Sequence, residues 1–294
     1  GGGFLVYGQC WVSTEGESGR WFVPVGLWGR VRGARRGVLS GCLVAGWLVS
    51  GRGDRDFLMG LPTSDFRSPS SDAGSLPDVP GGWKAQSVDL GHCTLEISRP
   101  ADPDGLLDDP DVLEANRRDD YMPYWSYLWP AAEPMARALA HADWPAGTRM
   151  LELGAGIGLV GLAAQARGWD VTFSDYDESS LQLCRLNAIR NGLPEPALLK
   201  LDWREPADLQ FPVILGCEVI YERRNHEPIL ELLSKMLAPG GTCWIGDPGR
   251  TQAPRFLETA AVHGWDITLR DGDCQEMNEY RQQFCILELR RGAQ

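Results

Sequence analysis

Lysine is almost missing from this chain, with 3 residues against 25 arginines in 294, and no lysine or methionine occurs before residue 59. Positive charge is scarce overall. The net charge is −12, and because residues 1–58 hold seven Arg against four acidic residues, the remainder carries −15. An acidic body disfavours contacts to a phosphate backbone, so nucleic acid is not expected as a substrate or partner. Cysteine pairs at metal or redox spacing are also absent: the eight cysteines (10, 42, 93, 184, 217, 243, 274, 285) contain no C-x-x-C, so no zinc ribbon or disulfide framework is expected, and they read as reduced thiols of a cytoplasmic protein. No long apolar run suggests a membrane span; residues 38–49 are too few to cross a bilayer.

Residues 1–58 are crowded with Gly, Arg, Trp and Val and hold neither a helical nor a strand period for long. With Met59 the first methionine and arginine so dominant over lysine, they read as an upstream extension from a GC-rich gene. The alternative is a targeting segment, since Arg35-Arg36 precede the apolar run. Leu39-Ser40-Gly41-Cys42 imitates a lipoprotein cleavage box, but with the cysteine ahead of most of that run. Residues 60–82, rich in Ser, Pro, Asp and Gly, read as disordered, so 1–82 is expected to be a leader or extension. A hairpin around Gly91-His92 and an acidic connection (83–120) should follow, then the main domain (121–294).

Residues 149–161, Arg-Met-Leu-Glu-Leu-Gly-Ala-Gly-Ile-Gly-Leu-Val-Gly, join a short apolar strand to a helix through a glycine cluster. Gly154, Gly156 and Gly158 permit a sharp turn and close approach of a ligand, and the following helix aims its first N–H groups at it. Gly156, Gly158 and Gly161 also satisfy G-x-G-x-x-G, with Asp175 placed for a ribose hydroxyl, so a nicotinamide dinucleotide is one reading. Glu152 argues for another. A carboxylate in a core strand must meet a cation or several donors, and the methionyl ammonium of S-adenosylmethionine would supply the cation. Asp202-Trp203 after the third strand would then face the adenine.

From residue 149 onward, strand and helix patterns alternate. Strands are expected at 149–153, 170–174, 197–201, 212–217 and 242–246, and helices at 159–167, 178–191, 226–237 and 252–263. The last two strands, 265–270 and 282–290, have no room for a crossover helix between them and should be antiparallel. The expected fold is an α/β, Rossmann-like seven-stranded methyltransferase sheet, mostly parallel with an antiparallel terminal pair.

On these residues the chain resembles a class I S-adenosylmethionine-dependent methyltransferase of the seven-strand protein lysine methyltransferase group, the electron-transfer-flavoprotein beta-subunit lysine methyltransferase type. The resemblance covers 121–290. Pro123-Tyr124-Trp125-Ser126-Tyr127-Leu128-Trp129-Pro130 is similar to that group's aromatic motif, 151–162 to its glycine motif, Leu201-Asp202-Trp203 to its adenine-side segment, and Ile245-Gly246-Asp247-Pro248-Gly249-Arg250 to its segment after the fifth strand. It implies cofactor contacts from Trp129, Glu152, Gly154, Gly156, Gly158, Asp175, Asp202 and Trp203, with S-adenosylmethionine as cofactor and no metal. It also implies an acceptor that is a protein lysine or, alternatively, a small amine or heterocycle. The group's Asp-x-x-Tyr after the fourth strand stands here as Glu218-Val219-Ile220-Tyr221, a methylene longer.

Glu218 and Tyr221 are therefore the candidate catalytic pair, Glu218 to take or orient an amine hydrogen and Tyr221 to hold the nitrogen in line. Asp247 and Arg250 are candidates for substrate binding, with an internal Asp247–Arg250 salt bridge as the bland alternative. Trp129 and Trp203 compete with a plain core role, Asp175 with capping the next helix, and His226 reads as structural.

Overall fold

The computed structural model describes residues 78–292 and, upstream, two three-residue strands, Cys10–Val12 (β1) and Trp21–Val23 (β2), which pair antiparallel. The leader or extension expected over 1–82 falls, apart from these strands and 78–82, outside the described residues. Contacts divide the chain into two units, residues 1–69 and 70–294.

The second unit opens on the hairpin of Trp83–Asp89 (β3) and Thr94–Pro100 (β4), in register from Trp83 opposite Pro100 to Asp89 opposite Thr94. Asp89 Oδ1 accepts the Gly91 N–H at 2.8 Å, and Gly91 takes φ 81° to close the turn. Within the acidic connection lies a helix that apolar periodicity does not reveal, Pro110–Asp119 (α1), because no residue of it is buried. Its signals are local. Asp109 Oδ1 caps the N–H groups of Asp111 and Val112, Pro110 occupies the first turn, and Asp120 ends the helix at φ 56°.

The remaining elements follow as Ala132–Ala138 (α2), Arg149–Leu153 (β5), Leu159–Ala166 (α3), Asp170–Asp175 (β6), Glu178–Arg190 (α4), Ala197–Lys200 (β7), Phe211–Cys217 (β8), His226–Met236 (α5), Leu237–Asp247 (β9), Ala253–Val262 (α6), Trp265–Arg270 (β10), Glu276–Met277 (β11) and Cys285–Arg291 (β12). The sheet order is β11-β10-β12-β9-β8-β5-β6-β7. The run from β9 to β7 is parallel, while β12 lies antiparallel to both β9 and β10. The expected seven strands become eight, because the acidic stretch after β10 doubles back and Glu276 and Met277 pair with Arg270 and Leu269. Asp271 builds that reversal by accepting the N–H groups of Asp273 and Gln275 on Oδ1.

Side chains of β5 alternate between two apolar layers. Met150 joins Phe173, Leu162 and Met135 on one face, and Leu151 and Leu153 join Ile214, Leu230 and Phe256 on the other. Glu152 shares the face of Met150, directly beneath α3. After β5 the chain winds outward through β6 and β7, then returns to β8 on the other side. The carboxyl ends of β5 and β8 therefore flank the topological switch point, where an open α/β sheet has its ligand crevice.

Candidate active site

A cavity of about 550 Å³ opens at that switch point. Its walls include the turn after β5, the ends of β6 and β8, and the segment from Asp119 to Ala132. Of the candidate residues, Trp129, Glu152, Gly154, Gly156, Asp175, Asp202, Trp203, Glu218, Tyr221 and Arg250 all line it; Gly158 and Asp247 stand behind the wall.

The glycine turn is held from three sides. Gly154, Gly156 and Gly158 have φ of 61°, 55° and 84°. A β-carbon on Gly154 would lie 3.0 Å from the Trp203 ring, so the indole seals the turn's flank. Asp175 accepts the Gly156 N–H on Oδ2 at 2.9 Å and the Asp177 N–H on Oδ1 at 2.9 Å, and Ser180 Oγ lies 2.8 Å from both Asp175 Oδ2 and Gly156 O. Asp177, not Asp175, caps α4.

Glu152 is 2% exposed, and its carboxylate has one hydrogen-bond partner, the Gly161 N–H, 3.1 Å from Oε2. Burial pushes its carboxyl up to about 8, that single bond opposes the shift, and the neighbouring Asp175 adds to it. Such a group lacks a cation. Gly161 is required for the contact, since a β-carbon there would sit 2.3 Å from Glu152 Oε2 and 2.4 Å from the Phe173 ring. Gly161→Ala is expected to destabilise the fold by about 1–3 kcal/mol through overpacking, read as a lower melting temperature.

On the other wall four aromatic rings meet edge to face or tilted. Tyr124 contacts Trp129 at 5.8 Å and Tyr221 at 5.4 Å between centroids, and Tyr127 contacts Trp129 at 5.3 Å. The Trp129 indole N–H donates to Tyr124 O at 2.9 Å. Burial, helped by Glu222, raises the Tyr221 phenol well above its ordinary value, so it stays protonated.

Glu218 adopts φ 55°, an uncommon conformation for a residue with a side chain, and its N–H donates to Gly246 O at 2.8 Å. Both carboxylate oxygens are engaged. Oε1 accepts the Ala131 N–H at 2.7 Å, and Oε2 accepts Arg250 Nε at 3.0 Å together with Arg250 Nη2. Arg250 also lies over the Trp129 ring at 5.6 Å. The ion pair of this loop is thus Arg250–Glu218, in place of the alternative Asp247–Arg250 bridge. Asp247 is fully buried and shapes the loop by accepting the Gly249 and Arg250 N–H groups on Oδ1, each at 2.8 Å. Asp202 is bound by Arg204, which holds its carboxyl below the usual range.

Some contributors had no motif to mark them. The Tyr280 hydroxyl, from the connection between β11 and β12, lies 2.9 Å from Asp247 Oδ1 and 2.8 Å from Arg250 O. Tyr121 donates its hydroxyl to Asp177 across the cavity rim. His226, buried, places Nε2 3.0 Å from Ile220 O, one residue before Tyr221. Tyr280→Phe is expected to lower turnover severalfold at unchanged cofactor affinity, measured by steady-state kinetics beside calorimetry. Among the described residues, no group of three or more His, Cys, Asp or Glu could hold a metal ion, and no helix is long and apolar enough to cross a membrane.

A model of a family described as lysine methyltransferase matches residues 125–260. Histone-arginine methyltransferase METTL23 of Rattus norvegicus is 34% identical over 168 residues, 54% of this chain and 75% of that protein. The electron transfer flavoprotein beta subunit lysine methyltransferase of Danio rerio is 30% identical over 134 residues, 44% of this chain and 52% of that one. Among solved structures, a TehB-like SAM-dependent methyltransferase from Corynebacterium glutamicum superposes with a TM-score of 0.46 at 20% identity, covering 61% of this chain and 96% of that one.

Proposed function

The chain belongs to the S-adenosylmethionine-dependent protein methyltransferases, and from that premise we propose that it methylates a side-chain nitrogen of a protein, a lysine ε-amine. The observation that carries the site assignment is Glu152, a buried carboxyl with one N–H partner beside a left-handed glycine turn. It suits the methionyl ammonium; Asp175 suits the ribose, and Asp202 with Trp203 the adenine. Trp129, Gly154, Gly156 and Gly158 complete the cofactor's walls.

S-adenosylmethionine supplies a methyl on a sulfonium whose leaving thioether is neutral, so little acid catalysis is required. The protein's part is alignment and exclusion of water. A lysine must arrive deprotonated, which from a reference pKa of about 10.4 costs roughly 4–5 kcal/mol at neutral pH. The Tyr221 phenol, held neutral against Tyr124, can accept from or donate to that nitrogen. Glu218 is assigned a positioning role: with its oxygens on Ala131 and Arg250, it ties the aromatic segment to the turn after β9 and has no oxygen left over as a base. At the mouth Asp119, Asp120 and Glu222 are already ion-paired with Arg118 and Arg224, so the preference for a cationic side chain over a nucleic acid rests on the net charge of −12.

The METTL23 relative's name favours a second reading, arginine. A guanidinium costs more to deprotonate, with a reference pKa of at least about 12.5, and the carboxylate best placed to grip it bidentately already holds Arg250. A small amine or heterocycle is the third. We place the reaction in the cytoplasm, where the six described cysteines, none of them in a disulfide, would stay reduced. The test is transfer of a radiolabelled methyl to host lysate proteins, followed by total hydrolysis. Labelled methyllysine is expected. Methylarginine would replace lysine with arginine, and label only in the small-molecule fraction would overturn the protein acceptor.

A further inference from the structure

The β4 strand of the hairpin has two edges. One pairs with β3; on the other, the backbone groups of Glu96 and Ser98 find their partners in two carboxamides of the α4 region, spaced four residues apart. Asn191 Oδ1 accepts the Glu96 N–H at 2.8 Å and its Nδ2 donates to Glu96 O at 2.9 Å. Asn187 Oδ1 accepts the Ser98 N–H at 2.7 Å and its Nδ2 donates to Ser98 O at 3.1 Å. The periods match: four helical residues rise about 6 Å, and two strand residues span about 6.7 Å, so a helix can present amides in step with a strand edge.

Asn187 does something Asn191 does not. Its Nδ2 also donates to Ile157 O at 3.1 Å, and Ile157 lies between Gly156 and Gly158 in the glycine turn. Both N–H donors and one acceptor position of the carboxamide are then used, at a fully buried site. Ser180 and Cys184, four residues apart on α4, touch Gly156 O at 2.8 and 3.6 Å, so one face of α4 grips the turn at two successive carbonyls.

We propose that Asn187 is a positioning residue for the cofactor turn and that through it the β3–β4 hairpin is mechanically part of the S-adenosylmethionine site. The proposal rests on the assignment of the glycine turn to the cofactor. If the carboxamide fixes the Ile157 peptide, a cofactor that orders the turn must also tighten the β4 edge, because coupling is reciprocal. Asn191 supplies the internal control, since it makes the same clasp to β4 without reaching the turn.

Hydrogen exchange on the full wild-type chain, with and without S-adenosylhomocysteine, tests this. Slower exchange is expected both in the peptide covering 154–161 and in the one covering 94–100. Calorimetry should then give at least fivefold weaker S-adenosylhomocysteine binding for Asn187→Ala and a change within twofold for Asn191→Ala. Protection confined to 154–161, or equal affinity in the two variants, overturns the proposal while leaving the cofactor site intact. Absence of any binding or protection in the wild-type chain overturns the cofactor assignment itself.

Discussion

Glu218→Ala is expected to lower methyl transfer about a hundredfold while S-adenosylhomocysteine affinity stays within about twofold of wild type. The carboxylate hydrogen-bonds to none of the residues assigned to the methionyl, ribose or adenine ends; it joins the Ala131 N–H to the Arg250 guanidinium on the side of the cavity proposed for the acceptor. Removing it leaves a buried N–H without its acceptor and frees the aromatic segment and the turn after β9 to drift. A displacement on the order of 1 Å in acceptor alignment is enough for about a hundredfold in rate. Breaking a buried pair costs about 3–5 kcal/mol, but the Arg250 side chain is 34% exposed and can rehydrate, so a smaller loss of roughly 2–3 kcal/mol is expected. For a domain of this size that is a melting temperature lower by roughly 5–10 °C. Glu218→Asp is the sharper variant. One methylene shorter, it can reach Ala131 or Arg250 but not both, and should fall between wild type and alanine. Equal rates for wild type, aspartate and alanine, with equal melting curves, would remove Glu218 from any role in alignment.

Much of this site is legible in the sequence because its chemistry is local. The glycine turn, Glu152 two residues before it and Asp175 at the end of the next strand are set by strand and helix periods that the chain states openly. The alternation of Met150 and Leu151 between two layers even fixes the face on which Glu152 lies. What was not legible depends on distant contacts. Arg250 has two carboxylates within reach along the sequence, Asp247 three residues away and Glu218 thirty-two away; only the packing of β8 beside β9 selects the second. Tyr280 joins the site through a reversal that no periodicity marks, the same reversal that adds the eighth strand. Helix α1 escaped the apolar pattern because it buries nothing, so its capping residues were its only signature. Residue type marks Glu218 as a group to take or orient an amine hydrogen. Its saturation by Ala131 and Arg250 is a tertiary fact that residue types alone do not carry.

Cofactor affinity is expected to rise with pH and then level off near pH 8, and Glu152 is the reason. Its carboxyl is lifted from an ordinary 4.5 to about 8, first by burial, with Asp175 adding to the shift. Below about pH 4.5 the group is protonated in both folded and unfolded chains. Between 4.5 and 8 the folded chain retains a proton that the unfolded chain has released, so this residue's contribution to stability declines as pH rises, and it is fully lost once the folded group ionises. A ligand ammonium reverses the preference by stabilising the carboxylate, so binding at pH 7 should expel most of one proton. Affinity should then climb by up to about tenfold per pH unit from 6 to 8. Calorimetry in two buffers of different ionisation enthalpy reads that proton directly. Glu152→Gln removes both effects: the pH profile should flatten, proton release should vanish, and binding at pH 8 should weaken by about 1.5–3 kcal/mol, the scale of one charge-assisted hydrogen bond. Its melting temperature at pH 8 should equal or exceed that of the wild-type chain, because the variant has no buried charge to form. Wild-type and glutamine chains with the same pH slope and the same proton count would place the ammonium elsewhere and leave Glu152 as a buried acid that serves only the fold.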